Sequence, residues 1–188
     1  MSSDRLLTIS GLRAGWQRPI VGPLSLTLRR GDVVGLWGAN GSGKSTLLSA
    51  IAGESRIFTG SIQHAPNLRL AVQPQAQVRV PSLPLTGREL LRVAQAGVKD
   101  APPSLAATFH QRIDRLSGGQ YQLLCVWAAL TGGADLILLD EPTNNLDPAH
   151  EAMLADILDL HAATRAVLVV SHERAFLDRI CQRIIDLG

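Results

Sequence analysis

Residues 38–46 read Gly38-Ala39-Asn40-Gly41-Ser42-Gly43-Lys44-Ser45-Thr46, a glycine-rich segment of the pattern G-x-x-x-x-G-K-[ST]. The apolar run 33–37 precedes it and the helix-forming run 46–51 follows it, which is the strand-to-helix setting that this pattern requires. Glycines let backbone N–H groups converge on phosphate oxygens, and the N-terminus of the next helix adds partial positive charge. In such a loop the lysine reaches the β- and γ-phosphates, and the following hydroxyl binds Mg²⁺. The segment, called the phosphate loop below, therefore predicts a nucleotide site formed by Gly38, Asn40, Gly41, Ser42, Gly43, Lys44, Ser45 and Thr46.

Length and composition indicate one globular domain. The chain has 188 residues, of which 46% are hydrophobic, so it can bury a sizeable core. The net charge is +2 and the charges are scattered, so no basic face argues for nucleic acid as a partner. Cys125 and Cys181 lie outside any C-x-x-C pattern, and we expect both to be reduced, with Cys125 buried. The N-terminus lacks a signal-peptide pattern, and no apolar stretch approaches the roughly 20 residues that span a bilayer, so a membrane role would require a partner.

The hydrophobic pattern predicts strands that alternate with helices. Two alternating segments at 6–12 and 24–28 predict antiparallel strands before the phosphate loop. Continuous apolar runs at 136–139 and 166–170 are typical of parallel strands that are buried on both faces. Further strands are predicted at 60–63, 68–72 and 184–185, and further helices are predicted at 87–93, 105–113, 117–130, 147–158 and 173–180. This order predicts an α/β fold with a doubly wound parallel core and an antiparallel β subdomain.

Residues 76–115 differ in composition from the rest of the chain, because four prolines interrupt their hydrophobic pattern. The apolar residues of this segment still recur at helical spacing. We therefore predict an inserted helical lobe at 76–131 that includes the helix beginning near Ser117, within a single domain of residues 1–188. Residues 1–75 and 132–188 would form the nucleotide-binding core.

Two acidic residues follow the apolar run 136–139. From the end of a buried strand, Asp140 can reach a Mg²⁺ ion bound to Ser45. Glu141 can orient or deprotonate an attacking water. Carboxylates after a strand also occur in ordinary turns, and the phosphate loop alone leaves kinases, GTPases and ATPases open. The combination of loop and carboxylates favours a catalytic site.

The segment Leu116-Ser117-Gly118-Gly119-Gln120, called the signature segment below, resembles the signature of the nucleotide-binding subunits of ATP-binding cassette (ABC) transporters, which kinases and GTPases lack. The resemblance implies a P-loop NTPase (RecA-like) core and an ATPase that uses MgATP. It also implies that Ser117, Gly118, Gly119 and Gln120 bind the γ-phosphate of ATP held by a second copy, in a head-to-tail homodimer. The expected partner is a separate transmembrane permease, which would hold the chain on the inner face of the cell membrane.

The resemblance implies further roles for single residues. Trp16 occupies the place of an aromatic residue that stacks on adenine, and Gln75 that of a glutamine that contacts Mg²⁺ and water, with Gln73 as the alternative. His172 resembles the histidine that touches the γ-phosphate, and residues 144–147 resemble the loop that crosses the dimer interface. The remaining histidines are expected at the surface: His64, His110, His150 and His161.

The chain departs from the family pattern at Leu123 and Ala128, where arginines are usual. Residues 83–86 resemble a stretch of metal-ion (zinc or manganese) importers, which makes such an ion the first expected substrate. Residues 144–147 and 171–178 also resemble non-transport ABC proteins of the translation-factor type, although those carry two cassettes in one chain. A nucleotide-binding module with little or no turnover is the third alternative.

Overall fold

The computed structural model describes residues 4–75, 84–144 and 146–188. The strands are β1 (Arg5–Gly15), β2 (Pro19–Arg29), β3 (Val33–Trp37), β4 (Arg56–His64), β5 (Leu70–Gln73), β6 (Leu136–Asp140), β7 (Ala166–Val170) and β8 (Arg183–Asp186). The α-helices are α1 (Lys44–Ile51), α2 (Gly87–Val93), α3 (Pro103–Ala106), α4 (Gly118–Thr131), α5 (Pro148–His161) and α6 (Arg174–Ile180). Short 3₁₀ turns cover Ala107–His110, Ile113–Arg115 and Ala162–Thr164. None of the helices in the described ranges is long and apolar enough to cross a membrane.

A five-stranded parallel sheet of order β5-β6-β7-β3-β8 forms the centre of the fold. Its inner strands β6 and β7 are fully buried, as their uninterrupted apolar sequences predict. Helices cover both faces of such a sheet, and two clusters of buried side chains take alternate residues of β3, β6 and β7. The sheet order places the carboxyl end of β7 between those of β3 and β6. The segments that follow these three strands therefore meet at one edge.

A three-stranded antiparallel sheet of order β2-β1-β4 packs on the α1 side of the parallel sheet. Its first two strands each have 11 residues and are longer than the predicted segments 6–12 and 24–28. The pairing of β1 with β2 shifts register at several points beyond Ile9. Each shift breaks the alternation of apolar and polar residues. The sequence at the ends of β1 and β2 therefore shows no alternating pattern that would predict a strand.

The helices between β5 and β6 pack on the opposite face of the parallel sheet. Leu123, Leu124 and Trp127 of α4 are buried there together with Leu91 of α2. The helix predicted over 105–113 is confirmed only up to His110, as α3 and the 3₁₀ turn that follows it, because the chain turns there and residue 111 is extended. Two backbone hydrogen bonds hold residues 111–113 beside the start of α2. Gly87 N donates to Gln111 O at 3.0 Å, and Ile113 N donates to Leu85 O at 2.9 Å. The lobe boundary at residue 76 lies outside the described residues.

Three expectations about burial need correction. Cys125 is only partly buried, because it lies at the edge of the side of α4 that packs on the core. His161 is not a plain surface residue, since its ring packs edge-on against Trp127 with centroids 4.8 Å apart. His150 is partly buried and its Nδ1 lies 2.7 Å from Asp147 Oδ2. His64 and His110 are exposed, as expected.

Candidate nucleotide-binding site

The phosphate loop connects the end of β3 to the start of α1, as its sequence predicts. Gly41 and Gly43 have φ values of +85° and +94°, which residues with a side chain rarely adopt. A Cβ atom on Gly43 would also lie 2.9 Å from Val21 Cβ. The backbone can therefore take this path only with glycine at these positions, and α1 then begins at Lys44.

Lys44 is buried inside the loop that precedes it. Its Nζ donates hydrogen bonds to the carbonyl oxygens of Gly38 (2.7 Å) and Ala39 (3.0 Å), and the residue is only 6% exposed. These two bonds hold the ammonium at the mouth of the phosphate loop. A positive charge in a largely desolvated position is strongly attractive to a phosphate group.

Asp140 ends β6, and its carboxyl group lies close to the hydroxyl of Ser45 at the start of α1. Burial raises the pKa of Asp140, and the nearby Glu141 carboxylate raises it further, while Ser45 and Lys44 act in the opposite direction. Oδ1 of Asp140 is buried and lacks a hydrogen-bond partner. A buried carboxylate oxygen next to a serine hydroxyl is a suitable pair of hard oxygen ligands for Mg²⁺. The residues therefore fit the ion that the sequence predicts here.

The raised pKa of Asp140 has a consequence for stability. In the folded protein the pKa lies above its unfolded value of about 3.9, so the ionised carboxylate lowers the free energy of unfolding as pH rises above that value. We expect D140N without nucleotide, in EDTA, to melt at a higher temperature than wild type at pH 7. The difference should vanish below about pH 4, where both states of the wild type bind the proton.

Differential scanning fluorimetry across pH measures this effect, with D159N on the exposed surface of α5 as the control. With MgATP present, the order should reverse, because an asparagine brings no charge to the metal. An apo D140N protein that is less stable than wild type at pH 7 would contradict the account of Asp140.

Glu141 and His172 form a hydrogen-bonded pair at the same edge of the sheet. His172 Nδ1 lies 2.8 Å from Glu141 Oε2, and the His172 N–H also points at this oxygen, at 3.3 Å. Glu141 is 5% exposed and has a φ of +49°, whereas His172 is about half exposed. The histidine therefore fixes the orientation of a buried carboxylate next to the phosphate loop. The sequence predicted both residues but not their direct contact.

A cavity of about 390 Å³ lies beside the phosphate loop. It is lined by Ile20, Asn40, Gly41, Gly43, Lys44, Ser45, Thr46, Gln75 and Glu141. Of these, only Ile20 is not predicted from the sequence, since no motif marks it and only the packing of β2 against the phosphate loop brings it here. A larger cavity of about 590 Å³ is lined mostly by the start of β1 and by residues 63–69, with Arg30 and Asp135. It contains none of the predicted site residues.

The two candidate glutamines differ in position. Gln75 is exposed and lines the cavity. Gln73 is 4% exposed, and its side-chain oxygen and nitrogen have no hydrogen-bond partner. This arrangement favours Gln75 as the residue that reaches a bound nucleotide.

Several predicted residues lie apart from this cavity. Trp16 is 53% exposed just beyond β1, and Ser42 is turned inward with its Oγ buried. Gly38 contributes its carbonyl oxygen to Lys44. Of the described residues that line the cavity, none belongs to the signature segment.

The signature segment forms the N-terminus of α4. Ser117 Oγ accepts a hydrogen bond from Gln120 N (3.2 Å), and Gln120 Oε1 accepts one from Ser117 N (3.0 Å). This reciprocal pair is a capping box. A Cβ on Gly118 would meet nothing within 4 Å, so there is open space beside this residue. The loop 144–147, which the resemblance places at a dimer interface, includes residue 145, outside the described residues.

Comparisons with known proteins agree with this geometry. A profile of the ABC transporter family matches residues 21–144. The zinc import ATP-binding protein ZnuC of Paracoccus denitrificans is 34% identical over 182 residues, which cover 93% of this chain and 72% of that protein. The energy-dependent translational throttle protein EttA of Escherichia coli is 32% identical, over 97% of this chain but 35% of its own length.

Solved structures show the same fold. A chain of an ABC transporter assigned to the metal-chelate type, in an inward-facing conformation, superposes with a TM-score of 0.81 at 25% identity, covering 98% of this chain and 80% of its own. The ATP-binding subunit of another ABC transporter gives a TM-score of 0.81 at 24% identity, over 97% and 86% of the two chains. The chain thus belongs to the ABC transporter family, as an ATP-binding domain of the kind that hydrolyses ATP.

Proposed function

We propose that this chain is the ATPase subunit of a membrane importer for a divalent metal ion, with zinc as the first candidate. The observation that carries the ATPase part is the convergence of Lys44, the Ser45–Asp140 pair and the Glu141–His172 pair at one edge of the sheet. The proposal of metal import rests on similarity to the zinc import protein of Paracoccus denitrificans over most of both chains.

In this proposal each residue near the phosphate loop has a distinct task. Lys44 and the loop N–H groups bind the phosphates, while Ser45, Asp140 and Gln75 hold Mg²⁺, which neutralises phosphate charge when it is bound. Glu141 orients a water and accepts its proton. His172 keeps the Glu141 carboxylate in place and reaches toward the γ-phosphate.

The base of the nucleotide needs a further contact, and Trp16 offers an exposed indole for stacking. Such stacking contributes about 1–3 kcal/mol per base in nucleic-acid-binding proteins. This role explains a large aromatic side chain that stays half exposed at the end of a strand. Burial would otherwise be expected for tryptophan.

The second half of the site comes from another copy of the chain. Ser117, Gly118, Gly119 and Gln120 lie outside the cavity of their own phosphate loop, and there is open space beside Gly118. A helix N-terminus with glycine neighbours is suited to bind phosphate. In a symmetric dimer with a two-fold axis, each signature segment would meet the ATP held by the other copy.

Transport also requires a separate membrane subunit. We place the chain on the cytoplasmic face of the cell membrane, bound to a permease that contains the path for the ion. Closure of the dimer on ATP and its release after hydrolysis would supply the conformational change. The permease, and not this chain, would select the ion.

A second candidate function is that of the translation-factor type, favoured by the 32% identity to EttA. To separate the two, tagged chain is expressed at native level and recovered from detergent-solubilised membranes and from ribosome pellets. If the chain serves a zinc importer, a polytopic membrane protein should be recovered in equal ratio with it. A deletion strain should then grow poorly in chelator, and added zinc should restore its growth. Recovery with ribosomes, together with normal growth in chelator, would support the second candidate instead. If manganese but not zinc restored the growth of the deletion strain, the proposed transported ion would be manganese.

A further inference from the structure

Gln122 is a buried polar residue on α4, five positions after Ser117. It is 7% exposed, although its neighbours Leu123 and Leu124 are core residues. Its Nε2 donates a hydrogen bond to the carbonyl oxygen of Pro142 at 3.2 Å. A buried side-chain amide is stable only when such bonds satisfy it, so this contact fixes the distance between α4 and the segment after β6.

Pro142 is joined directly to Glu141, whose backbone is in the left-handed region with a φ of +49°. A residue with a side chain keeps this conformation only when its surroundings hold it. On one side, Glu141 N donates to Val170 O at the end of β7, at 2.9 Å. On the other side, Gln122 holds the carbonyl oxygen of Pro142, the next residue in the chain.

A second contact joins the same two segments. A Cβ on Gly119 would lie 3.2 Å from Leu146 Cδ2 and 3.5 Å from the His150 ring. Glycine therefore permits close packing of the first turn of α4 against Leu146 and against the start of α5. The start of α4 thus contacts the segment after Glu141 at two points along its length.

We infer that Gln122 is a positioning residue for Glu141: it holds the Pro142 carbonyl, one residue after Glu141, so that the carboxylate stays directed at the phosphate-loop cavity. This inference rests on the proposed role of Glu141 as general base. Because α4 begins with the signature segment, the same hydrogen bond links the position of Glu141 to the helix that would meet the ATP of the other copy.

The test replaces Gln122 by methionine, which has a similar length but no donor. A misplaced reacting group can cost on the order of a hundredfold in rate, so we expect kcat for ATP hydrolysis to fall about tenfold to a hundredfold. KM for ATP should change less than about twofold, because no contact with the phosphate loop is altered. The control is Q111M in the same lobe: this exposed glutamine also donates to a backbone carbonyl, Ala107 O at 3.2 Å, and its loss should leave both constants unchanged.

A double-mutant cycle with E141Q separates positioning from a general structural effect. If Gln122 acts through Glu141, Q122M should cause no further loss in single-turnover hydrolysis once Glu141 is glutamine. Multiplicative losses, or an unchanged kcat in Q122M, would overturn the inference. Should Q122M fail to fold, Q122N tests the same contact, because its shorter side chain keeps the amide but withdraws it from Pro142 O. If E141Q itself turned over at the wild-type rate, the proposed function of Glu141 would fail instead.

Discussion

Replacement of Glu141 by glutamine is expected to lower the rate of ATP hydrolysis by about a thousandfold, with little change in the affinity for ATP. Glutamine has the same shape and can still meet His172, but its amide cannot accept a proton from water. The wild-type carboxylate is 5% exposed and is held 2.8 Å from His172 Nδ1. Phosphate release and equilibrium binding of a fluorescent ATP analogue measure the two quantities.

The matched control is E54Q, which changes an exposed glutamate just after α1 and should leave hydrolysis unchanged. Because E141Q still binds ATP, it should also accumulate as an ATP-bound dimer on size-exclusion chromatography. Turnover within about twofold of wild type would remove Glu141 from the mechanism, since general bases contribute about a hundredfold or more.

The second large effect is expected for S117R, which should lower hydrolysis by at least about a hundredfold in a dimer of identical copies. The substitution puts a bulky side chain at an exposed position at the start of α4 and removes the serine that caps the helix. Loss of the cap alone costs about 1 kcal/mol of stability. ATP binding at the phosphate loop should persist, because Lys44 and its contacts are untouched.

The chain contains a closely matched control for this substitution. Thr86 caps α2 with the same capping-box geometry as Ser117, through reciprocal bonds with Glu89. T86R should therefore lose a similar amount of stability in urea denaturation while it keeps its ATPase rate. An equal loss of activity in the two variants would show that S117R acts only through stability.

Much of the fold could be predicted because its deciding segments have strong local signals. The phosphate loop, the buried strands β6 and β7, and the caps at Ser117 and Asp147 all lie where the sequence predicts them. The full length of β1 and β2 could not be predicted, since bulges interrupt their alternation. The turn at residues 110–113 was missed because long-range bonds to the start of α2 outweigh local helical spacing.

The side-chain contacts of the candidate site also could not be predicted from local sequence patterns. Sequence motifs named Asp140, Glu141 and His172 one at a time. The contact between Glu141 and His172 depends on the order β6-β7-β3, which brings the ends of separate strands together. The bond from Gln122 to Pro142 likewise joins segments 20 residues apart. No pattern along the chain specifies such pairs, because they depend on packing between elements.

We propose that one ATP site requires two copies of this chain, and mixing two inactive variants tests this requirement. K44A retains its signature segment, and S117R retains its phosphate loop, so each should be inactive alone. A heterodimer of the two would contain one intact composite site. After equal mixing and exchange of subunits, we predict hydrolysis at about one quarter of the wild-type rate, since half of the dimers would have one of two sites. A mixture no more active than its separate components, or a fully active S117R dimer, would contradict the account.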